Sequence, residues 1–178
     1  MSGPSPEPHP IQELKLTRTS NDRRLYTLEG IGTIRRDGGI FSNSFIAEAA
    51  GHSWRFAGRG LLQRVLEATA PDGTVVGRFV PKQIRRGGPF DWGARRLVLH
   101  PASLGREKYV LKDGDGDLVA VEGRAWGRHP VTVTLPQGDA FEPGLVLFAV
   151  FVVHRLAVDA SSTAGSIAAI TVSTGSYS

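Results

Sequence analysis

Nine consecutive apolar residues, Leu145 to Val153, follow Glu142-Pro143-Gly144 near the end of a chain whose other apolar residues come in short runs. A segment with no polar face must be wrapped on all sides. Pro143 suits the first position of a helix, where its missing N–H costs nothing. Val150, Val152 and Val153 are β-branched and favour strands instead. Length decides between the two: 145–158 is 14 residues, long for a strand and ordinary for a helix. A helix is therefore expected near 143–158. Nine residues of helix rise about 13 Å against a hydrocarbon layer of about 30 Å. His154-Arg155 then interrupts the run, so the segment reads as a core helix rather than a membrane span.

Upstream the period is two, the mark of half-buried strands. Leu14-x-Leu16, Tyr26-x-Leu28, Ile31-x-x-Ile34, Phe45-Ile46, Trp54-x-Phe56, Val65 to Ala70 and Val75 to Lys82 come first. Phe90-x-Trp92, Leu97-x-Leu99, Tyr109 to Lys112, Leu118 to Glu122 and Val131-x-Val133-x-Leu135 follow. Turn chemistry separates them. In Pro71-Asp72-Gly73 proline presets φ and glycine accepts a positive one. Asp113-Gly114-Asp115-Gly116-Asp117 reads as a second tight hairpin. The two hairpins echo each other, and a Trp-Gly segment follows each, which is compatible with two similar units without proving duplication. The expected fold is mainly β: an antiparallel barrel of about ten to twelve short strands wrapped around one C-terminal hydrophobic helix.

Three regions follow from this pattern. Residues 1–10 carry four prolines and no apolar stretch, so they read as a disordered arm and not as a signal peptide. Residues 11–160 form the barrel domain, a length that suits one domain. Residues 161–178 are rich in Ser, Thr, Ala and Gly and read as a flexible tail, with 167–172 (IAAITV) able to dock as a strand. Cys is absent, which excludes disulfides and thiolate metal sites and fits a reducing cytoplasm.

Charge adds the one functional signal. Residues 50–100 hold nine basic and three acidic side chains, whereas 1–49 hold six of each and 101–178 hold six basic and eight acidic. The excess is densest in Arg78, Lys82, Arg85, Arg86, Arg95 and Arg96, against Asp91 alone. A one-signed patch is the footprint expected for phosphate-bearing partners. These six residues are the candidate anion-binding set. The plainer reading is a solvated, merely solubilising charge.

The chemistry of enzymes finds no such support. There is no GxSxG elbow and no P-loop, although Gly58-Arg59-Gly60 and Arg85-Arg86-Gly87-Gly88 share the glycine-and-charge composition. The five histidines, His9, His52, His100, His129 and His154, form no HExxH or i, i+4 pair. His154, at the end of the expected helix, is read as a partly charged group favoured by the helix dipole. The Asp113–Asp117 run fails as an EF-hand, since Leu118 stands where Gly is needed and Arg124 where Glu is needed. Trp54, Arg55, Phe56 and Arg59 with Phe90, Trp92, Arg95 and Arg96 could form a nucleic-acid surface if the rings lay outside. Strand alternation instead turns the rings in and the arginines out.

A β-rich body over Ile11 to Leu135, strands ending in Trp54, Trp92 and Trp126, and a hydrophobic helix at Leu145 to Val158 together resemble the group of tubby, phospholipid scramblase and LURP-one-related proteins. That resemblance implies a closed antiparallel barrel threaded by a C-terminal hydrophobic helix. It also implies binding rather than catalysis: tubby domains hold phosphoinositide headgroups on a basic surface, and scramblases act at membranes. No site residue carries over. The acidic calcium-binding segment that follows the helix in scramblases has no counterpart, because Asp159 stands alone after Val158.

The expectation is thus a non-enzymatic β-barrel module without cofactor or metal, cytoplasmic or peripheral to a membrane. Its partner would be an anionic lipid headgroup or membrane surface, met through the Arg-rich middle. The alternatives are a protein-interaction or structural domain with no small ligand and, third, a nucleic-acid-binding domain.

Overall fold

The alternating runs become twelve strands and one helix in the computed structural model. It describes residues 11–38, 43–59, 65–82, 87–103, 108–123, 131–136 and 141–171, with side chains as far as Ala160. The first six strands are β1 (Ile11–Arg18), β2 (Leu25–Leu28), β3 (Gly32–Asp37), β4 (Ser44–Ala49), β5 (His52–Arg59) and β6 (Val65–Thr69). The second six are β7 (Val75–Phe79), β8 (Gly88–Trp92), β9 (Arg95–Pro101), β10 (Lys108–Asp113), β11 (Gly116–Glu122) and β12 (Val131–Pro136). The helix α1 spans Pro143–Thr171. Each strand pairs antiparallel with its neighbour in sequence, and β12 closes onto β1 from Leu16 opposite Val131 to Ile11 opposite Pro136. The result is the expected closed antiparallel barrel around a C-terminal apolar helix.

Burial follows the alternation. In β12, Val131, Val133 and Leu135 are buried while Thr132 and Thr134 face outward. The hairpins after β2, β4, β6, β8 and β10 lie at one end of the barrel and are tight. The Pro71-Asp72-Gly73 turn shows why: Gly73 takes a φ of +89°, and its N–H donates to the Ala70 carbonyl at 3.0 Å. Asp72 Oδ1 accepts from the Thr74 N–H at 2.9 Å, which holds the Asp72 carboxyl below its ordinary pKa. The β6–β7 and β10–β11 hairpins also share a register shift close to their turns, at Ala68/Thr69 and Leu111/Lys112.

The helix enters at the tight-turn end and fills the barrel. Gly144 through His154 are buried without interruption. Phe148 stacks within 5.2 Å of Phe56 and 5.1 Å of Phe90, and Phe151 lies 5.5 Å from both Phe45 and Phe56. No side of the Leu145–Val153 run meets water, which is why it needs no polar face. The window Pro143–Ala160 has a mean hydropathy of 1.7 and is long enough to cross a membrane, yet 72 % of it is buried inside the barrel, the setting of a core helix.

Two expectations about the chain ends change. The helix does not stop near 158 but runs to Thr171, so 161–171 is helical rather than tail, and the strand considered over 167–172 is helix through residue 171. Once the buried turns have nucleated a helix, each further residue adds a hydrogen bond at little cost, and alanine is the best residue for propagation. The expected arm, 1–10, and residues 172–178 lie outside the described residues.

Candidate functional site

The basic middle of the chain maps onto β7, β8 and β9. Successive strand residues face opposite sides. Gly77 and Phe79 therefore point into the barrel while Arg78 points out, as does Val80 just past the strand. Phe90 and Trp92 point in, and Pro89 and Asp91 out. Leu97 and Leu99 point in, and Arg96, Val98 and His100 out.

Register assembles these outward side chains into rows. Arg78 lies opposite Asp91, and Asp91 opposite Arg96, with Glu67 of β6 opposite Arg78. One step away from the tight turns, the Val80 N–H donates to the Pro89 carbonyl at 3.1 Å, and Pro89 lies opposite Val98. Val80 and Val98 are 39 % and 38 % exposed, and Pro89 is exposed as well, so this second row is apolar and wet. Lys82 follows two residues after Val80 and is also exposed.

Arg78, Lys82 and Arg96 make no ion pair among the described residues. Glu67 is engaged by Arg59 at 3.3 Å, so Asp91 is the one free carboxylate in the two rows. The face therefore carries three cations against one acid. Arg95 behaves differently from its neighbour. It follows the inward phase of Leu97 and Leu99 and, at the barrel rim, binds Asp113 at 2.8 Å. Arg85 and Arg86 lie outside the described residues. Of the six candidate residues, the structure thus brings Arg78, Lys82 and Arg96 onto one face and turns Arg95 away from it.

The sequence reading missed the Val80–Pro89–Val98 row. Its signal was present in Arg78-x-Val80 and Arg96-x-Val98, since each valine shares the outward phase of its arginine. Bringing the three together requires the strand register, which local periodicity does not contain.

Other chemistry-bearing groups lie at the two ends of the barrel. The Asp113 carboxylate is held by Arg95 and that of Asp117 by Lys112 at 2.9 Å, so the acidic hairpin makes ion pairs with its own sheet. A depression of about 510 Å³ at the β4–β5 turn is lined by Thr33, Glu48, His52 and Ser53 among others. Among the described residues no three His, Asp or Glu side chains approach closely enough to hold a metal ion. His52 and His100 are exposed, and His9 and His129 lie outside the described residues.

His154 overturns its expected role. The helix continues past it, so it does not stand at a helix end, and the residue is 8 % exposed, packed edge-on against Phe45 at 5.9 Å. Burial, aided by the nearby Arg155 and Arg36 charges, pushes its pKa from 6.5 down to about 3. The imidazole is neutral, not a charged cap. Arg36 lies 5.8 Å from the Phe45 ring, and Arg155 donates to Asn43 Oδ1 at 3.1 Å while its buried Nε has no hydrogen-bond partner among the described residues.

No family model, no curated protein and no solved structure matches this chain.

Proposed function

We propose that this barrel is a non-enzymatic binding module that takes an anionic ligand or membrane surface on the outer face of β7–β9. The observation that carries the reading is the convergence of Arg78, Lys82 and Arg96 on one exposed face with a single uncommitted carboxylate, Asp91. Such a face attracts phosphate-bearing groups at long range and holds them by charge-assisted hydrogen bonds. The likeness to the tubby and scramblase group supports the same class of partner. The proposal places the protein in the cytoplasm, peripheral to the membrane it meets.

The test is co-sedimentation with phosphatidylcholine vesicles, with and without phosphatidylserine, beside calorimetric titration with inositol hexakisphosphate. Wild type should bind the anionic vesicles or the soluble polyanion in a salt-sensitive way, and Arg78→Glu/Arg96→Glu should bind neither. Absence of binding to both by wild type at low salt would remove the proposal.

One observation favours a second reading. Glu67, Arg78, Asp91 and Arg96 alternate in sign across four neighbouring strands, a pattern suited to a protein partner bearing the complementary alternation. A nucleic-acid partner draws less support: Phe56 and Phe90 are fully buried and Trp92 is 5 % exposed, which leaves only the half-buried Trp54 of the four rings for stacking.

A further inference from the structure

We infer that the occupant of the β7–β9 face is a lipid bilayer, with the Val80–Pro89–Val98 row entering its interface while Arg78, Lys82 and Arg96 contact anionic headgroups around it. The inference rests on the anion-facing reading of this face and decides between a soluble anion and a membrane.

Val80, Pro89 and Val98 are joined across three adjacent strands by the Val80 N–H to Pro89 carbonyl bond and the Pro89–Val98 pairing. Nothing polar interrupts the row over those strands. Arg78, Asp91 and Arg96 border it on the side of the tight turns, two cations against one carboxylate, and Lys82 borders it on the other. The adjoining Lys112, opposite Val98, is neutralised by Asp117 at 2.9 Å. The apolar strip thus has Arg78 and Arg96, with Asp91 between them, along one long side and Lys82 on the other.

Ile11 and Val75 are more exposed still, at 69 % and 48 %, but neither belongs to a three-strand apolar row among the described residues. On the opposite strands the outward row runs Thr17, Thr27, Thr33, Glu48 and Ser53, polar at every position. Valine suits any half-buried strand position, but a contiguous exposed apolar row rimmed by charge marks a contact surface.

The chemistry then selects the occupant. A soluble anion would satisfy the three cations and leave the valines and proline in water. A peptide adding as an extra strand needs a free sheet edge, and the closed barrel has none. A bilayer of anionic lipid takes both parts: the apolar row sits at the level of the acyl boundary, and the long stems of Arg and Lys let their charges rise to the phosphates. Each cation near such a surface adds its own attraction, and salt weakens it.

The absence of Cys permits a direct test on the full chain. Val98→Cys and, as a control on the polar row, Thr27→Cys are each labelled with an environment-sensitive fluorophore. Phosphatidylcholine–phosphatidylserine vesicles should shift the emission of the position-98 label to the blue, and brominated lipid should quench it, while the position-27 label does not respond. Val80→Ser/Val98→Ser should fold, keep its affinity for inositol hexakisphosphate and lose about tenfold in vesicle partitioning. Equal responses at 98 and 27, or vesicle binding unaltered by the double serine variant, would overturn the bilayer contact and leave the anion-facing reading standing. Binding of inositol hexakisphosphate without any vesicle binding would do the same. Binding of neither would overturn both.

Discussion

The Trp92 indole N–H donates to Glu142 Oε2 at 2.7 Å, tying the end of β8 to the residue that precedes α1. This bond fixes where the helix enters. The acceptor is charged, and such bonds contribute more than neutral ones. Trp92→Phe keeps a ring against Phe148, 5.9 Å away, and removes only the donor. It should cost about 1.5 kcal/mol in urea denaturation. A double-mutant cycle with Glu142→Ala should recover most of that value as coupling, and additive losses would show that the bond does not seat the helix.

Gly144 lies one turn position further in, between two indoles. A Cβ there would stand 2.6 Å from a ring carbon of Trp92 and 2.8 Å from one of Trp54. Two effects oppose each other in Gly144→Ala. Helix propensity alone favours alanine by about 1 kcal/mol. The collision requires ring or backbone movement, and overpacking of this kind costs about 1–3 kcal/mol. The two tryptophans also touch each other edge-on at 5.9 Å, so neither is free to swing aside. The variant should be destabilised, and a rise in the urea midpoint would show that the indoles yield.

The centre of the barrel is held by Phe148, which packs against Phe56, Phe90, Trp92 and Phe151. Phe148→Ala should lower stability by about 3–5 kcal/mol, because the surrounding strands are closed on themselves and collapse poorly into the gap. Phe148→Asp should abolish soluble expression, since an unpaired buried charge costs more still. A well-folded aspartate variant would show that α1 is not the core.

Much of this architecture was legible because the barrel is built from local rules. Val131-x-Val133-x-Leu135 and Pro71-Asp72-Gly73 each declare their structure within a few residues. The wholly apolar Leu145–Val153 run declares that something surrounds it. What was not legible depends on pairing. Arg95 and Arg96 are adjacent in the chain, yet Arg95 follows the inward phase to Asp113 and Arg96 the outward phase to the basic face. Val80 and Val98 become neighbours of Pro89 only through register. His154 looked terminal because the apolar run ends there, whereas the Ala- and Ser-rich residues beyond it prolong the helix.

The divergence of Arg95 and Arg96 has a measurable consequence for the proposed surface. Arg95→Gln removes a charge already matched by Asp113 at the rim, and a partly exposed pair of this kind contributes about 1 kcal/mol or less. Vesicle partitioning should then stay within about twofold of wild type, whereas Arg96→Gln removes a headgroup contact and should lower it about fivefold. Equal losses for the two substitutions would mean that overall charge, and not the β7–β9 face, drives association.

His154 makes stability depend on pH in a stated direction. Its pKa is 6.5 in the unfolded chain and about 3 in the folded protein, so between those values the unfolded state binds the extra proton. Stability is complete above pH 6.5 and is lost as pH falls toward 3, at about 1.4 kcal/mol per pH unit. The cause is desolvation at the mouth of the barrel, reinforced by Arg155 on the same helix and Arg36 on β3. Asp72 also loses stabilising ionisation in acid, but only around and below its ordinary pKa of 3.8, so pH 5 to 6.5 isolates the histidine. Urea denaturation at pH 7, 6 and 5 should show a steep decline for wild type and a much flatter one for His154→Met, whatever the variant's stability at pH 7. Parallel slopes for the two proteins would mean that the imidazole is protonated in place, and that the mouth of the barrel admits water beside it.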